Sequence, residues 1–475
     1  MITRKNINMT EGPVFKNIIL FALPLIVTNL LQVLYTAADT MVVSLSHEAD
    51  AVGAIGTTTA MINLIVNIFI GCSVGAKVAA ARKLGANDAE KTANTVHTAI
   101  AMSIIFGIIC CVTGIFAANP VLTAMGNGGR LLALAERYTK IYFLGVPFIS
   151  VTNFAIAIIH ANGDTKTPLY ILTFTGLLHV VLNLFFVLVC GFSVGGMAAA
   201  SGISNAASAV ILVVRLMRDK GACRLNPKRL RIEKQSFLSI LHIGVPAGIQ
   251  SALFSLSHMV IQSSIVSVNN AVAPPGSAFA PVVKGSSAAT SVESFGYTVV
   301  NSTAQAAISF TGQNAVAGKY DRVKKVRRSC YAAVFGLSVV FAAIMLTFKD
   351  PMLSLYGVTK GASGSLEEIA YNTAVTRMLC MFIPYFLLGF MEVGSGIMQG
   401  LGRSVTSTAV SLTGSVAFRI LWIMTAFKVY PNAVTVFLSY PISWLLTSAA
   451  QYILLLHFGN NGNNLINGKK YLNLR

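Results

Sequence analysis

The chain has 475 residues, 55% of them hydrophobic and 11% charged, with a mean hydropathy of +0.70. Soluble domains carry roughly 25% charged residues, so a chain this apolar would aggregate in water and is excluded as a free globular protein. The net charge of +19 sits in loops between apolar runs, without the aromatic–basic interleaving of base stacking, which argues against a nucleic-acid partner.

Residues 1–14 are polar, and the apolar run that follows is too long for a signal peptide and shows no cleavage site. It is expected to remain as a membrane span. A spanning helix needs about 20 apolar residues. Twelve such runs are predicted, at about 15–45, 52–80, 92–117, 137–160, 168–190, 195–218, 237–268, 290–314, 328–348, 370–400, 404–428 and 433–458. Several exceed the minimum length, so tilt or kinks are expected. Pro24, Pro147, Pro246, Pro384 and Pro441 fall inside spans, where each removes a backbone hydrogen bond and can bend its helix. Cys72, Cys110, Cys111, Cys190, Cys330 and Cys380 lie in apolar runs and Cys223 in a basic loop. None has metal-ligand spacing, so all read as small core residues.

Most of the 35 Lys and Arg fall in segments on the N-terminal side of the membrane. Lys77, Arg377 and Arg419 fall inside spans. By the positive-inside rule both termini then face the cytoplasm, and the plasma membrane, a bacterial inner membrane, is the expected location with the lipid bilayer as partner.

An internal repeat is visible. "FKNIILFALP" (15–24) matches "FLSILHIGVP" (237–246), and "LGANDAEK" (84–91) has its counterpart in "VAGKYDRVKK" (316–325). "ANGDTKTP" (161–168) and "QGLGRSVTS" (399–407) each follow a proline-containing span. Two six-span units of the same orientation follow, a parallel repeat that places a substrate cavity at the interface of its halves. The predicted organisation is an N-terminal lobe over 1–218, a basic cytoplasmic linker over 219–236 and a C-terminal lobe over 237–475.

These same segments carry a family resemblance. "MTEGPVFKNIILFALPLIVTNLLQVLYTAADTMVV" resembles the opening of the multidrug and toxic compound extrusion (MATE) transporters. "HANGDTKTPLY", "TGQNAVAGKYDRVKK" and "MEVGSGIMQGLGRS" resemble that family's loop motifs after spans four, eight and ten. The resemblance implies an all-α membrane fold of twelve helices in two pseudo-symmetric six-helix lobes forming a V. It also implies antiport: export of amphipathic, often cationic organic compounds by a monomer, driven by inward flow of H+ or Na+, with no other cofactor and no metal centre.

Asp39 is the one acid in its apolar run, and an intramembrane carboxylate is a functional candidate by default. Its bland alternative is an interfacial or capping role. In the family the matching acid is the coupling-ion site, and bending of the first helix at Pro24 would follow its protonation. By the same resemblance Asn183 and Ser201 would stand beside Asp39, and Asn153 would contribute; each alternative is an ordinary helix–helix hydrogen bond. Some relatives carry a second acid where this chain has Val187, and one carboxylate suits a proton better than Na+, which prefers several oxygens. In the second half Glu293 and Glu392 are candidates to meet a cationic substrate or a second ion. Their alternatives are an interfacial position for Glu293 and an ion pair with Arg377 or Arg419 for Glu392. Tyr35, Met259 and Gln262 are candidate cavity linings, against plain packing. His160, His179, His242 and His258 are expected as packed, hydrogen-bonded side chains.

A flippase for lipid-linked saccharides is the competing reading and expects a strongly cationic cavity. An enzyme is not expected: no H-E-x-x-H or paired acid–base set is present, and no Walker A loop would support an ATP-driven pump.

Overall fold

A computed structural model describes residues 7–44, 51–124, 129–272 and 280–460. Among the described residues every regular element is helical. The chain runs through α1 (Val14–Ser44), α2 (Ala51–Gly85), α3 (Ala89–Ala124), α4 (Gly129–Ala161), α5 (Lys166–Leu184) and α6 (Ser193–Met217). It continues with α7 (Lys234–Val272), α8 (Pro281–Val316), α9 (Tyr320–Thr347), the short α10 (Lys349–Ser354), α11 (Leu366–Phe382) and α12 (Tyr385–Gly400). A last pair of runs comprises α13 (Ser404–Ser411), α14 (Phe418–Met424) and α15 (Ala426–Val429), then α16 (Ala433–Asn460). Counting α11–α12 and α13–α15 as single runs gives the twelve spans expected. Nine helices among the described residues are long and apolar enough to cross a bilayer, and α11–α12 makes a tenth. The 35-residue α2 and 36-residue α8 complete the twelve by length.

The prolines behave unequally. Pro24, Pro147, Pro246 and Pro441 are absorbed inside unbroken helices. Pro384 instead separates α11 from α12, which meet at 49°. In α1 the Thr28 hydroxyl donates to the Pro24 carbonyl at 2.8 Å, a back-bond that helps bend helices. Two π-helical turns were not foreseen. One, 185–189, ends α5, and the other, 412–417, joins α13 to α14. They lie in the fifth and eleventh spans, the first at the end of its span and the second within it.

The chain forms two compact units. Unit 1 comprises residues 1–12, 20–248 and 312–318; unit 2 comprises 13–19, 249–311 and 319–475. The core of unit 1 packs α2, α3, α4 and α6 around Ala76, Ala80, Ala99, Ile100, Phe154, Ile158 and Leu212. Small side chains allow close helix approach, the main source of association within lipid. A Cβ built on Gly71 would stand 2.3 Å from the Gly248 backbone, so only two glycines permit that crossing. The N-terminal segment is held in the same unit. Ile7 donates its N–H to the Gly163 carbonyl at 3.3 Å, and the Asn314 amide donates to the Met9 carbonyl at 2.9 Å. Gly163 has φ +83°, and a side chain there would strike the Ile7 carbonyl oxygen.

The basic stretch after α6 is folded rather than slack. The Asn226 N–H donates to Nε2 of His97 at 3.0 Å, and the Glu233 N–H donates to the Thr98 hydroxyl at 3.0 Å. Cys223 is buried beneath it, and burial with the nearby Asp219 carboxylate pushes its thiol up to about 12. In unit 2, α12 packs against α9 and α16 and buries Met391, Val393, Ile397 and Met398.

Candidate functional site

Unit 1 contains a polar cavity of about 150 Å³ between α1, α5 and α6. Each helix contributes a stripe at helical spacing. From α1 come Thr28, Leu31, Gln32 and Tyr35. From α5 come Thr175, Gly176 and His179, and from α6 come Ser204, Asn205 and Ser208. The wall is knit by short side-chain bonds. Ser208 donates to the Thr175 hydroxyl at 2.7 Å. Nε2 of His179 lies 3.0 Å from the Ser201 hydroxyl. The amide of Asn205 donates to the Ser201 carbonyl at 2.8 Å. Gly176 is required by close approach: a Cβ there would sit 2.0 Å from the Tyr35 ring. The ring therefore lies flat against the α5 backbone, its hydroxyl donating to the Thr173 carbonyl at 3.3 Å.

The predicted site residues distribute as follows. Tyr35 borders this cavity. Ser201 stands behind its wall, bonded to His179. Asn183 is fully buried one turn beyond His179 on α5. Asn153 is half-buried on α4, and its amide donates to the Ile149 carbonyl of its own helix at 2.9 Å. Val187 is buried within the π turn. Pro24 lies one turn before Thr28, at the entry of the α1 stripe. Asp39 belongs to α1, but its side chain lies outside the described residues.

Met259 and Gln262 occupy exposed positions on α7 in unit 2. The acids of unit 2 differ from expectation. Arg377 pairs with Glu293, its Nε 2.8 Å from one carboxylate oxygen and its Nη2 3.1 Å from the other. The same guanidinium donates to Ser286 at 2.9 Å and lies over the rings of Phe437 (5.4 Å) and Tyr440 (5.6 Å). The alternative pairing of Glu392 with Arg377 or Arg419 is thus incorrect, and Glu293 is no bare interfacial acid. The physical reason is distance: Arg377 and Glu392 are fifteen residues apart, about 22 Å along a helix, whereas the packing of α11 brings Arg377 to Glu293 of α8. Glu392 makes no ion pair among the described residues. Arg419 donates to the Ser443 hydroxyl at 2.9 Å and stacks on Tyr440 at 4.3 Å.

The histidines divide: His160 and His179 are half-buried, whereas His242 and His258 are exposed, against the expectation of packed side chains. Nδ1 of His258 lies 3.0 Å from the Tyr440 hydroxyl, and His160 meets Phe21 edge-on at 6.2 Å. His179 alone among them borders the cavity. Its signal was its spacing: Thr175, His179 and Asn183 fall at successive fours and make one polar face on an otherwise apolar helix.

Twelve helical spans and a polar cavity among the helices of unit 1 are the architecture of a multi-pass membrane protein. The MatE family profile matches residues 24–185 and again 246–425, one match in each half. The chain belongs to the MatE family, the multidrug and toxic compound extrusion transporters. It is 25% identical over 420 residues to the probable multidrug resistance protein YoeA of Bacillus subtilis, covering 87% of this chain and 86% of that one. It is 24% identical over 420 residues to the multidrug export protein MepA of Staphylococcus aureus, covering 88% of each. Among solved structures it is similar to a MOP superfamily transporter from Pyrococcus furiosus, described as having a binding pocket of reverse polarity that suggests a different function. The TM-score is 0.87 at 18% identity, over 98% of this chain and 100% of the other.

Proposed function

We propose that this protein is a proton-coupled antiporter that exports amphipathic organic cations across the plasma membrane, with both termini cytoplasmic. The observation that carries the reading is the unit 1 cavity. Its described lining presents hydroxyls, amides and an aromatic ring, and no lysine or arginine. Such a surface suits a soft organic cation, which gains from ring faces and carbonyl or hydroxyl oxygens. The names of YoeA and MepA favour the same substrate class. Asp39 follows Tyr35 by one turn in the α1 sequence and is the proposed proton site, with Asn183, Ser201 and Asn153 in support. Its protonation would ease bending of α1 about Pro24. Glu392 is a second candidate contact for the cation, and Val187 in place of an acid favours H+ over Na+.

The test is ethidium transport by reconstituted protein in liposomes, with a pH gradient or a Na+ gradient imposed separately. A pH gradient alone is expected to drive transport, and Asp39→Asn to abolish it. Transport driven by Na+ alone overturns the proton assignment. Absence of any cation transport, with the variant indistinguishable, would remove the efflux reading and bring the flippase forward.

A further inference from the structure

We propose that the folded basic segment between α6 and α7 is a docking surface for anionic phospholipid of the membrane that the protein spans. Both helices are long and apolar enough to cross a bilayer, and they end and begin at Met217 and Lys234. Residues 218–233 therefore lie at the border of the hydrocarbon, in a headgroup layer about 5–7 Å deep.

The charge of this segment is one-sided. Residues 215–234 hold eight Lys and Arg and two acids. Both acids are engaged within the protein. Asp219 meets Arg215 at 3.2 Å and accepts the Gly221 N–H at 3.1 Å, and Glu233 accepts from the Ser236 hydroxyl. Arg218, Lys220, Arg224, Lys228, Arg229 and Lys234 are exposed, and none of them makes an ion pair among the described residues. The array is also held in place. Leu225 is buried and donates its N–H to the Leu216 carbonyl at 3.1 Å. The Asn226 side chain accepts the Lys228 N–H at 3.1 Å and caps the turn Pro227–Arg229. A preformed array binds without the cost of ordering a slack loop.

Beyond that turn the chain is extended, with Leu230 at φ −60° and ψ +112°. Successive side chains of an extended chain point to opposite sides. Arg231 leans on α3, its guanidinium 3.5 Å from the Asn94 side-chain oxygen, which turns Leu230 and Ile232 the other way. They are 38% and 45% exposed. Two aliphatic side chains among cations at the edge of the hydrocarbon fit an amphiphile with a negative head. A soluble phosphate would meet the cations alone and leave both side chains in water. A nucleic acid would do the same, and no aromatic residue lies between 215 and 236 to stack a base. The two contributions to membrane-surface affinity, apolar burial and attraction to anionic lipid, thus sit on one segment.

The test is titration of the purified full-length protein, in a neutral detergent, with phosphatidylglycerol, phosphatidylcholine or glycerol phosphate, with bound molecules counted by native mass spectrometry. Phosphatidylglycerol is expected to bind at least about 20-fold more tightly than phosphatidylcholine, since each Lys or Arg near an anionic surface contributes about fivefold. On the same scale Lys228→Gln with Arg229→Gln should weaken the tightest-bound phosphatidylglycerol about 25-fold. Leu230→Ser with Ile232→Ser should also weaken it. A control pair of equal charge, Lys325→Gln with Arg328→Gln, removes exposed cations of α9 and should change that affinity by less than about twofold. All the substituted side chains are exposed, so the unfolding midpoint in detergent alone should stay at the wild-type value. Equal affinity for the two phospholipids would overturn the proposal. So would equal losses in the linker pair and the control pair, which would make the attraction one of overall charge. Glycerol phosphate bound as tightly as phosphatidylglycerol, with no effect of the Leu230 and Ile232 substitutions, would overturn the membrane as the source of the ligand.

Discussion

The pair Glu293–Arg377 offers the sharpest test of how unit 2 is held. Arg377→Met removes two charge-assisted hydrogen bonds and leaves the Glu293 carboxylate, 16% exposed, without its cation. Removing one partner of such a buried pair typically costs about 3–5 kcal/mol. Glu293→Gln is milder, because the amide oxygen still accepts from the guanidinium. Arg377 also keeps Ser286 and the faces of Phe437 and Tyr440. That loss should be about 1–2 kcal/mol. The double variant Arg377→Met with Glu293→Leu leaves no orphaned charge and should fall within about 1 kcal/mol of wild type. The assay is the midpoint of thermal unfolding in detergent, with ethidium transport in liposomes alongside. The expected order of stability is wild type, double variant, Glu293→Gln, then Arg377→Met, with transport retained in the double variant. Equal losses in the two single variants, or additivity in the double, would refute the asymmetry. A stable double variant that no longer transports would show that one of the two side chains meets the substrate.

Gly176→Ala should push the Tyr35 ring by at least about 1.4 Å, from 2.0 Å to ordinary contact, and break its bond to Thr173. Losing that bond, worth about 1 kcal/mol, should weaken ethidium binding about fivefold with little change in expression. Asp88→Ala removes the carboxylate that accepts the Lys91 N–H at 3.0 Å at the start of α3 and should cost about 1 kcal/mol in the same unfolding assay. That N–H, followed by the Lys91 ammonium, holds the Asp88 carboxyl below its usual 3.8. A depressed carboxyl stabilises fully above its unfolded value, so the Asp88 contribution should be intact above about pH 4 and fade as pH falls through the depressed value. Cys223, buried and with its thiol pushed up to about 12, should resist N-ethylmaleimide at pH 8 until the protein is unfolded, as read by mass spectrometry.

The spans were legible because twenty-odd apolar residues in a row leave a chain few alternatives. Of the prolines, only the one at 384 broke its span. A lone proline costs one hydrogen bond, and neighbouring helices or a hydroxyl such as Thr28 decide whether the helix continues. The Glu293–Arg377 pair was not legible, since the residues are 84 apart and their meeting depends on how α8 and α11 pack. Nor were the π turns, which leave no compositional mark. In the sequence His179 stands as a lone histidine. Its partners on α6 are 22 or more residues away, and only the packing of α5 on α6 sets the ring against Ser201.

The cavity also explains why so polar a wall is tolerable inside an apolar lobe. Most described hydroxyls in it have a local acceptor: Thr28 on Pro24, Thr173 on Leu169, Thr175 on Ile171 and Ser204 on Ser201. A hydroxyl bonded to its own helix keeps a lone pair to offer without demanding a partner across the cavity, so the wall can be filled or empty at little cost. A carboxylate or imidazolium has no such local satisfaction and changes the energy of anything beside it. A cavity lined by self-satisfied hydroxyls can therefore admit different guests on shape without leaving a buried donor unmet.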